Sequence, residues 1–357
     1  GVQTCALPIS VGDLVTYSGV TYYCITAHTS SVSPDWLIGT YWHNLTGNIY
    51  EIPTPYLEGD LFDLHFVQSS DVLTIVHPNY APRELKRVSA TKWTLTTIPF
   101  AATLSGPSSA PTLVVTGGTT NAVDTLSYKI TALTSSGEES LASNSATTSA
   151  AVNLANAGAK IEISWPAVSG AVAYNIYKAI SYGTFGYIGQ SIGTNFRDTN
   201  ITPDGSLQPP TSDNPFATDY PGAVSYFEQR RCFGGTTAKP QTIFMTRSGT
   251  ESNLTSSTPS RDDDSIRFRV AAREYNVIRH IVPLTNLMLL TSEAEWRVTS
   301  INSDALTPST ISVRPHSYIG SSKVQPVIVN NNLIFAAARG GHMRDRKSTR
   351  LNSSHRT

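Results

Sequence analysis

The feature that most constrains this chain is a short hairpin pattern that recurs along it. In the first copy, apolar runs at residues 64–67 and 72–76 flank the polar turn Gln68-Ser69-Ser70-Asp71. Two apolar runs joined by a short polar turn are typical of a β-hairpin. Prolines on either side are expected to stop both runs from extending: Pro53, Pro55, Pro78 and Pro82.

Three later copies of the pattern have turns at residues 228–231, 284–286 and 330–332. The last three turns are spaced at roughly the 40 to 50 residues expected of propeller blades. The first gap is about three times longer, which leaves room for an inserted β-domain of about 100 residues. We therefore predict an all-β fold of propeller-like blades with an inserted β-sandwich. The alternative is an ordinary β-meander in which any hairpin resembles any other.

Neither end of the chain is expected to belong to the natural protein. Residues 1–10 and 346–357 resemble translated sequencing adapter and are interpreted as artefacts. The natural protein is then expected to continue past both ends.

Charge and composition restrict the classes of partner. Without those ends, residues 11–345 hold 22 basic and 26 acidic residues, a net charge of −4. Tight non-specific phosphate binding needs clustered lysine and arginine, so this chain is a poor candidate for it. Charged residues make up 15% of the chain, against the usual quarter. That composition is typical of extracellular or virion β-proteins.

The sequence offers little for catalysis or metal binding. Cys5 belongs to the adapter-like end, and Cys24 and Cys232 lie far apart, so neither a disulfide framework nor a CxxC site is predicted. The histidines do not cluster, and neither a Gly-x-Ser-x-Gly nor a Walker motif occurs. No apolar run approaches the roughly 18 residues of a membrane helix. We predict no catalytic residue, no metal, no cofactor and no membrane insertion.

Residues 11–49 form the first predicted module. Residues 11–25 alternate around the turn Tyr17-Ser18-Gly19, which predicts a small hairpin. The pattern Gly-Asp-x-Val-x-Tyr-x-Gly-x-x-Tyr from residue 12, followed by Pro34 and Trp36, resembles small chitin-binding-type carbohydrate modules. Such modules bind sugars by stacking on aromatic rings. The resemblance therefore implies three carbohydrate-binding residues, Tyr23, Trp36 and Trp42.

The module departs from that family at Thr26-Ala27-His28, where sugar-binding members often carry tandem tryptophans. In the alternative interpretation, four aromatic residues form the core of a module too small to have any other: Tyr17, Tyr22, Trp36 and Trp42. His28 is expected to form a hydrogen bond within a turn rather than to bind a ligand.

The segments 50–102 and 213–345 contain the recurring hairpins. Their phrases at residues 50–56, 60–69 and 75–79, together with Glu295-Trp296-Arg297-Val298 and the run 338–342, resemble the tail-nozzle (tail tubular) proteins of short-tailed bacteriophages. The resemblance implies a virion protein that forms a ring, usually of six subunits, and conducts DNA during ejection. It also implies contacts with other tail proteins such as the adaptor and fibres. A surface glycan is a further expected partner.

Residues 103–212 are predicted to form the inserted domain. After a linker rich in Ser, Gly and Pro, alternating strands at residues 161–165 and 173–178 resemble a fibronectin type III β-sandwich, with Trp165 and Tyr174 in its core. The phrase Tyr128-x-Ile-Thr-Ala comes earlier in the chain than that family normally has it. The resemblance implies a role in spacing or display.

One acidic cluster and a basic run complete the candidates. The run Asp262-Asp263-Asp264 lacks the EF-hand spacing, so a solvated turn is predicted, with calcium binding as the alternative. Arg267 and Arg269 alternate along a strand and are expected to share one face. They are candidates for lining a DNA channel or for pairing with the nearby aspartates.

A second function class stays open beside the tail nozzle. The chain is alternatively a fragment of a secreted chitinase-like glycosidase or of an extracellular carbohydrate-binding surface protein. A glycosidase needs a pair of catalytic carboxylates. No convincing pair is present in the sequence.

Overall fold

The computed structural model describes residues 8–18, 20–29, 39–45, 52–89, 92–212, 214–272, 275–330, 332–339 and 343–346. Strands account for 47% of the structure and helix for 2%, so the predicted all-β class is confirmed. The described strands pair antiparallel in nine sheets. Within these residues, no helix has the length and apolar character that a membrane span requires.

The N-terminal module contains two small sheets. The first pairs β1 (Pro8–Ile9) with β4 (His28–Thr29). The second has the order β2-β3-β5, with these bounds: β2 Leu14–Tyr17, β3 Val20–Cys24 and β5 Trp42–Leu45. The predicted hairpin is confirmed by the β2–β3 pairing.

The next sheet, here called the first blade sheet, follows a short 3-10 helix (Glu58–Asp63). Its four strands are neighbours in chain order: β6 His65–Ser69, β7 Val72–His77, β8 Tyr80–Ser89 and β9 Lys92–Thr97. The predicted turn near residue 70 is confirmed. Pro82, expected to stop a strand, instead lies inside β8, where the β7–β8 register shifts. A bulge of this kind tolerates proline, which cannot donate to the sheet.

The inserted domain is a sandwich of two sheets. The three-stranded sheet has the order β10-β13-β16: β10 Thr112–Thr116, β13 Lys160–Ser164 and β16 Asn195–Asp198. The four-stranded sheet has the order β12-β11-β14-β15: β11 Leu126–Leu133, β12 Ala146–Thr147, β14 Ala173–Ile180 and β15 Gly186–Ser191. The Tyr128-x-Ile-Thr-Ala segment, which comes earlier in the chain than in the fibronectin family, therefore forms a central strand, β11.

The core of the sandwich follows from alternation along its strands. Trp165 and Tyr174 are buried in it with ring centroids 5.4 Å apart, as predicted. Lys178 on β14 and Asp198 on β16 join the two sheets through a buried ion pair of 2.8 Å. Tyr128 donates a hydrogen bond of 2.8 Å to the same carboxylate. An ion pair so far from water needs such additional partners to offset its desolvation.

Four further sheets follow the sandwich. The short pair of β17 (Gln208–Ser212) and β21 (Thr255–Thr258) flanks the second blade sheet. That sheet has the order β18-β19-β20-β22: β18 Ala223–Phe227, β19 Arg230–Gly234, β20 Thr242–Met245 and β22 Ile266–Arg269.

The third and fourth blade sheets complete the described chain. The third contains β23 Ile278–Pro283, β24 Leu287–Thr291, β25 Glu295–Ser300 and β26 Ile311–Ser317. The fourth contains β27 Val327–Val329, β28 Asn332–Ala336 and β29 Met343–Arg346. The hairpins predicted around residues 229, 285 and 331 are therefore confirmed.

Consecutive blade sheets pack face to face through shared apolar cores. Val76 of the first sheet packs with Phe233 of the second, and Ile243 of the second packs with Leu289 of the third. Residues of the third and fourth sheets share a further core: Val282, Met288, Leu290, Leu333 and Phe335. Each large apolar side chain buried in this way contributes roughly 1.5–3 kcal/mol.

The first strands of the four blade sheets come together around a cavity of about 190 Å³. It is lined by residues such as His65 on β6, Val224 on β18, His280 on β23 and Ile328 on β27. Inner strands that meet around a central space are the arrangement of propeller blades, which agrees with the predicted blade-like architecture.

A buried ionic contact joins the first and second blade sheets. Arg231 on β19 is 1% exposed, and its Nη1 donates to Glu84 Oε1 on β8 at 2.7 Å. Burial works to raise the pKa of Glu84, but hydrogen bonds from Lys86 and Arg231 outweigh it and hold the pKa below its usual value. Arg231 also bonds Glu251 and the Tyr226 hydroxyl, so its charge is well compensated.

Candidate functional site

The N-terminal module is held together by its hairpin and by contacts across its open end. Gly12 adopts φ of 102°, a conformation that favours glycine, and its N–H donates to the Cys24 carbonyl at 3.0 Å. The Asp13 carboxylate accepts from the Ser10 N–H at 2.8 Å. Asp13 also lies 3.8 Å from Lys92 of the first blade sheet. The Gly-Asp pair therefore fixes the start of β2 and contacts the neighbouring sheet.

The three predicted sugar-binding residues fall in different places. Tyr23 is 7% exposed and Trp42 is 6% exposed. Burial raises the pKa of Tyr23 above its usual value, and the neighbouring Cys24 makes a smaller contribution in the same direction. Trp36 lies outside the described residues. Trp42 packs in the small core with Tyr22, as the alternative interpretation expected, and the sugar-binding role of the three residues stays a prediction.

Other aromatic side chains of the module are more open. Tyr17, expected in the core by the alternative interpretation, is 52% exposed. Tyr41 and His28 are half-buried and stacked, with ring centroids 4.4 Å apart and planes at 19°. His28 Nδ1 lies 2.8 Å from the Thr26 carbonyl oxygen, which confirms the predicted turn hydrogen bond. Tyr41 was not among the residues predicted from the sequence, although it directly precedes Trp42.

The N-terminal module is similar to a known protein family. Residues 10–40 match carbohydrate-binding module family 5/12. The match covers the β2–β3 hairpin and ends before Trp42. No curated protein matches the chain. The chain therefore carries a carbohydrate-binding module at residues 10–40, in agreement with the resemblance stated from the sequence.

The two arginines proposed for a DNA channel lie on β22, at the edge of the second blade sheet. Both are exposed, and Phe268 between them is half-buried, so the predicted shared face is confirmed. The Arg267 guanidinium lies 5.3 Å from the centroid of the Phe244 ring. The Arg269 Nε and Nη2 donate to Gln241 Oε1 at 3.2 and 3.0 Å. Contact with DNA stays a prediction.

The acidic run before β22 forms a turn in which Asp262 and Asp263 are exposed, as predicted, but its third member departs from the prediction. Asp264 is fully buried, and its carboxylate accepts from Ser257 and from the Arg261 N–H. Arg247, itself 1% exposed, pairs with Asp263 and lies 3.3 Å from Asp264. The run therefore acts as a counter-ion for a buried arginine.

A second buried arginine uses the backbone of the same run. Arg230 Nη1 donates to the Asp264 carbonyl at 2.5 Å, and its Nη2 donates to the Asp262 carbonyl at 2.8 Å. These contacts occupy two backbone carbonyl oxygens that a calcium ion bound to this run could otherwise use. Among the described residues, no three histidine, cysteine, aspartate or glutamate side chains gather closely enough to hold a metal ion.

Proposed function

We propose that this chain is a non-enzymatic β-protein that attaches to a polysaccharide through its N-terminal module. The match of residues 10–40 to a carbohydrate-binding module carries the proposal. The exposed Tyr17 ring and the stacked Tyr41 and His28 rings support it, because sugar rings pack on aromatic faces. In this proposal Tyr23 and Trp42 are buried and stabilise the module, while the more exposed rings contact the sugar.

Retention on chitin beads tests the carbohydrate proposal. The unmodified chain is expected to be retained, and Tyr17→Ala and Trp36→Ala are each expected to weaken retention by about tenfold through the loss of a stacking ring. Tyr182→Ala is the matched control, because Tyr182 is 89% exposed but lies in the sandwich. Failure of the unmodified chain to bind chitin and a panel of other insoluble glycans would remove the proposal.

We further propose that the module decorates a subunit of a phage tail nozzle. The observation that favours this role is the meeting of the first strands of four blade sheets around one cavity, together with the resemblance of the blade segments to that family. In this role the protein is located in the virion, forms a ring of six subunits and contacts the adaptor and fibres. The 22 basic and 26 acidic residues of 11–345 suit transient passage of DNA, because a strongly basic channel would retain the DNA.

The sandwich has its own place in this proposal. Its two sheets of three and four strands support a fibronectin type III-like domain that displays or spaces the parts around it.

Sequencing the source DNA outward from both ends tests the nozzle role. Neighbouring portal and capsid genes are expected. An open frame that continues into a domain with paired catalytic carboxylates would instead make the protein a chitinase-like glycosidase.

A further inference from the structure

A second candidate binding site lies far along the chain from the N-terminal module. A cleft of about 640 Å³ opens beside edge strand β22 of the second blade sheet. Its polar and aromatic lining consists of seven residues: Lys239, Gln241, Thr242, Arg267, Phe268, Arg269 and Tyr275. No described residue that lines it is acidic. The volume falls within the roughly 300–1,000 Å³ of ligand-binding pockets.

The basic groups of this cleft are held in position before any ligand arrives. Arg269 uses an Nε–H and an Nη2–H on Gln241 Oε1, and three of its five N–H groups are not used in that contact. Arg267 is paired across the sheet with Phe244 and lies over its ring. A guanidinium fixed in this way loses little freedom on binding, and its planar N–H groups match the two oxygens of a carboxylate.

An aromatic ring stands beside these cations. Tyr275 is 70% exposed. Its ring therefore presents a large apolar face that a bound ligand could cover. A ligand that combines a carboxylate with a flat, partly apolar ring would use both features of the cleft. Hexuronate units of an acidic polysaccharide have this combination.

We propose that this cleft binds an anionic polysaccharide, with Arg267 and Arg269 holding uronate carboxylates and Tyr275 packing on the sugar ring. The choice of a glycan over a nucleic acid rests on the proposed carbohydrate binding of the N-terminal module. It is also favoured by charge, since a net charge of −4 over residues 11–345 gives no broad positive field for a phosphate backbone. The chain then has two glycan sites of different chemistry.

Isothermal titration of the whole chain with a galacturonate hexamer tests this site. Arg269→Gln is expected to weaken binding by about tenfold or more, because a charge-assisted contact is lost. Tyr275→Ala is expected to weaken it several-fold, and added salt should weaken binding to the unmodified chain. Arg314→Gln is the matched control, since Arg314 is an exposed strand arginine outside the cleft. This control should bind as the unmodified chain does.

The outcomes separate this proposal from the previous one. Retention on chitin without binding of the galacturonate hexamer would overturn the anionic site and leave the N-terminal module intact as a glycan binder. Galacturonate binding that is unchanged in both Arg269→Gln and Tyr275→Ala would show that the cleft is not the site. Arginine-dependent binding of an oligo-dT strand, with no binding of galacturonate, would replace the glycan with nucleic acid.

Discussion

A half-buried histidine, His65, and a buried one, His280, meet where the first strands of the blade sheets converge. His280 is 3% exposed, and its Nε2 donates to the Ser322 carbonyl at 2.8 Å. Its neutral ring therefore presents an unprotonated Nδ1, which accepts from His65 Nε2 at 3.2 Å. Burial is the main cause that lowers the pKa of both rings, and for His280 the neighbouring His65 and Arg279 add to it, so that its pKa is about 4. Both histidines are thus neutral in the folded protein at pH 7.

This pair should make stability depend on pH. The folded pKa of His280 lies below the unfolded value of about 6.5, so between these values the unfolded chain binds more protons. The stabilisation is complete above about pH 6.5 and declines as pH falls towards 4, by about 3 kcal/mol in all. Urea midpoints at pH 7.5 and 4.5 measure it.

His280→Gln retains a donor for Ser322 and should show a smaller loss between the two pH values than the unmodified protein. His316→Gln is the control, because His316 is exposed on β26. Equal losses in the unmodified protein and in His280→Gln would contradict the assignment. The charged groups nearest the pair, Asp63, Arg279 and Lys323, remain unchanged in both variants.

At the scale of elements, close approach of the blade sheets depends on a glycine. Gly235 follows β19 with φ of 69°, and a Cβ added there would lie 2.2 Å from the Ile278 carbonyl oxygen at the start of β23. A side chain at this position would push the third blade sheet away from the second. The shared core between the two sheets would then lose contacts.

Gly235→Ala should therefore destabilise the protein through two effects, backbone strain and a clash. Gly249→Ala separates them, because Gly249 has φ of 72° but nothing within 4 Å of an added Cβ. The control should cost about 1–2 kcal/mol from strain alone. Gly235→Ala should cost roughly 1–3 kcal/mol more from overpacking. Chemical denaturation compares the two, and coincident midpoints would show that the sheets can separate without cost.

Across the whole molecule, the sandwich is attached to the second blade region by the turn between β11 and β12. Glu138 Oε1 accepts from the Thr103 N–H at 3.0 Å and from Asn253 Nδ2. Glu139, which is 2% exposed, lies 3.8 Å from Arg261 Nη2. The Glu138–Asn253 and Glu139–Arg261 contacts join residues that are more than a hundred positions apart, so they hold the inserted domain in a fixed position.

Removing the Glu138 side chain should loosen this attachment. In Glu138→Ala, the Asn253 amide and the Thr103 N–H lose their acceptor, which costs about 1–3 kcal/mol at the contact. Limited proteolysis within residues 104–111 should become several-fold faster. Glu162→Ala is the control, since Glu162 pairs with Arg197 and Lys160 within the sandwich. Unchanged cleavage in Glu138→Ala would mean that other contacts hold the two parts.

Features that depend only on neighbouring residues were predictable from the sequence. Alternation and polar turns located the blade hairpins, the hairpin of the carbohydrate-binding module, and the shared face of Arg267 and Arg269. They also placed Trp165 and Tyr174 in the sandwich core. These features were predictable because side-chain direction in a strand repeats every two residues.

Which polar and aromatic groups are buried, and which of them are in contact, depends on how distant segments pack together. Glu84 and Arg231 are 147 residues apart, and His65 and His280 are 215 residues apart, so no local pattern connects them. Burial depends on what packs above a strand, which is why Tyr17 is open although Trp42 is covered. The cleft beside β22 arises in the same way. Its lining residues are brought together by strand pairing and by the approach of separate segments, which sequence spacing does not record.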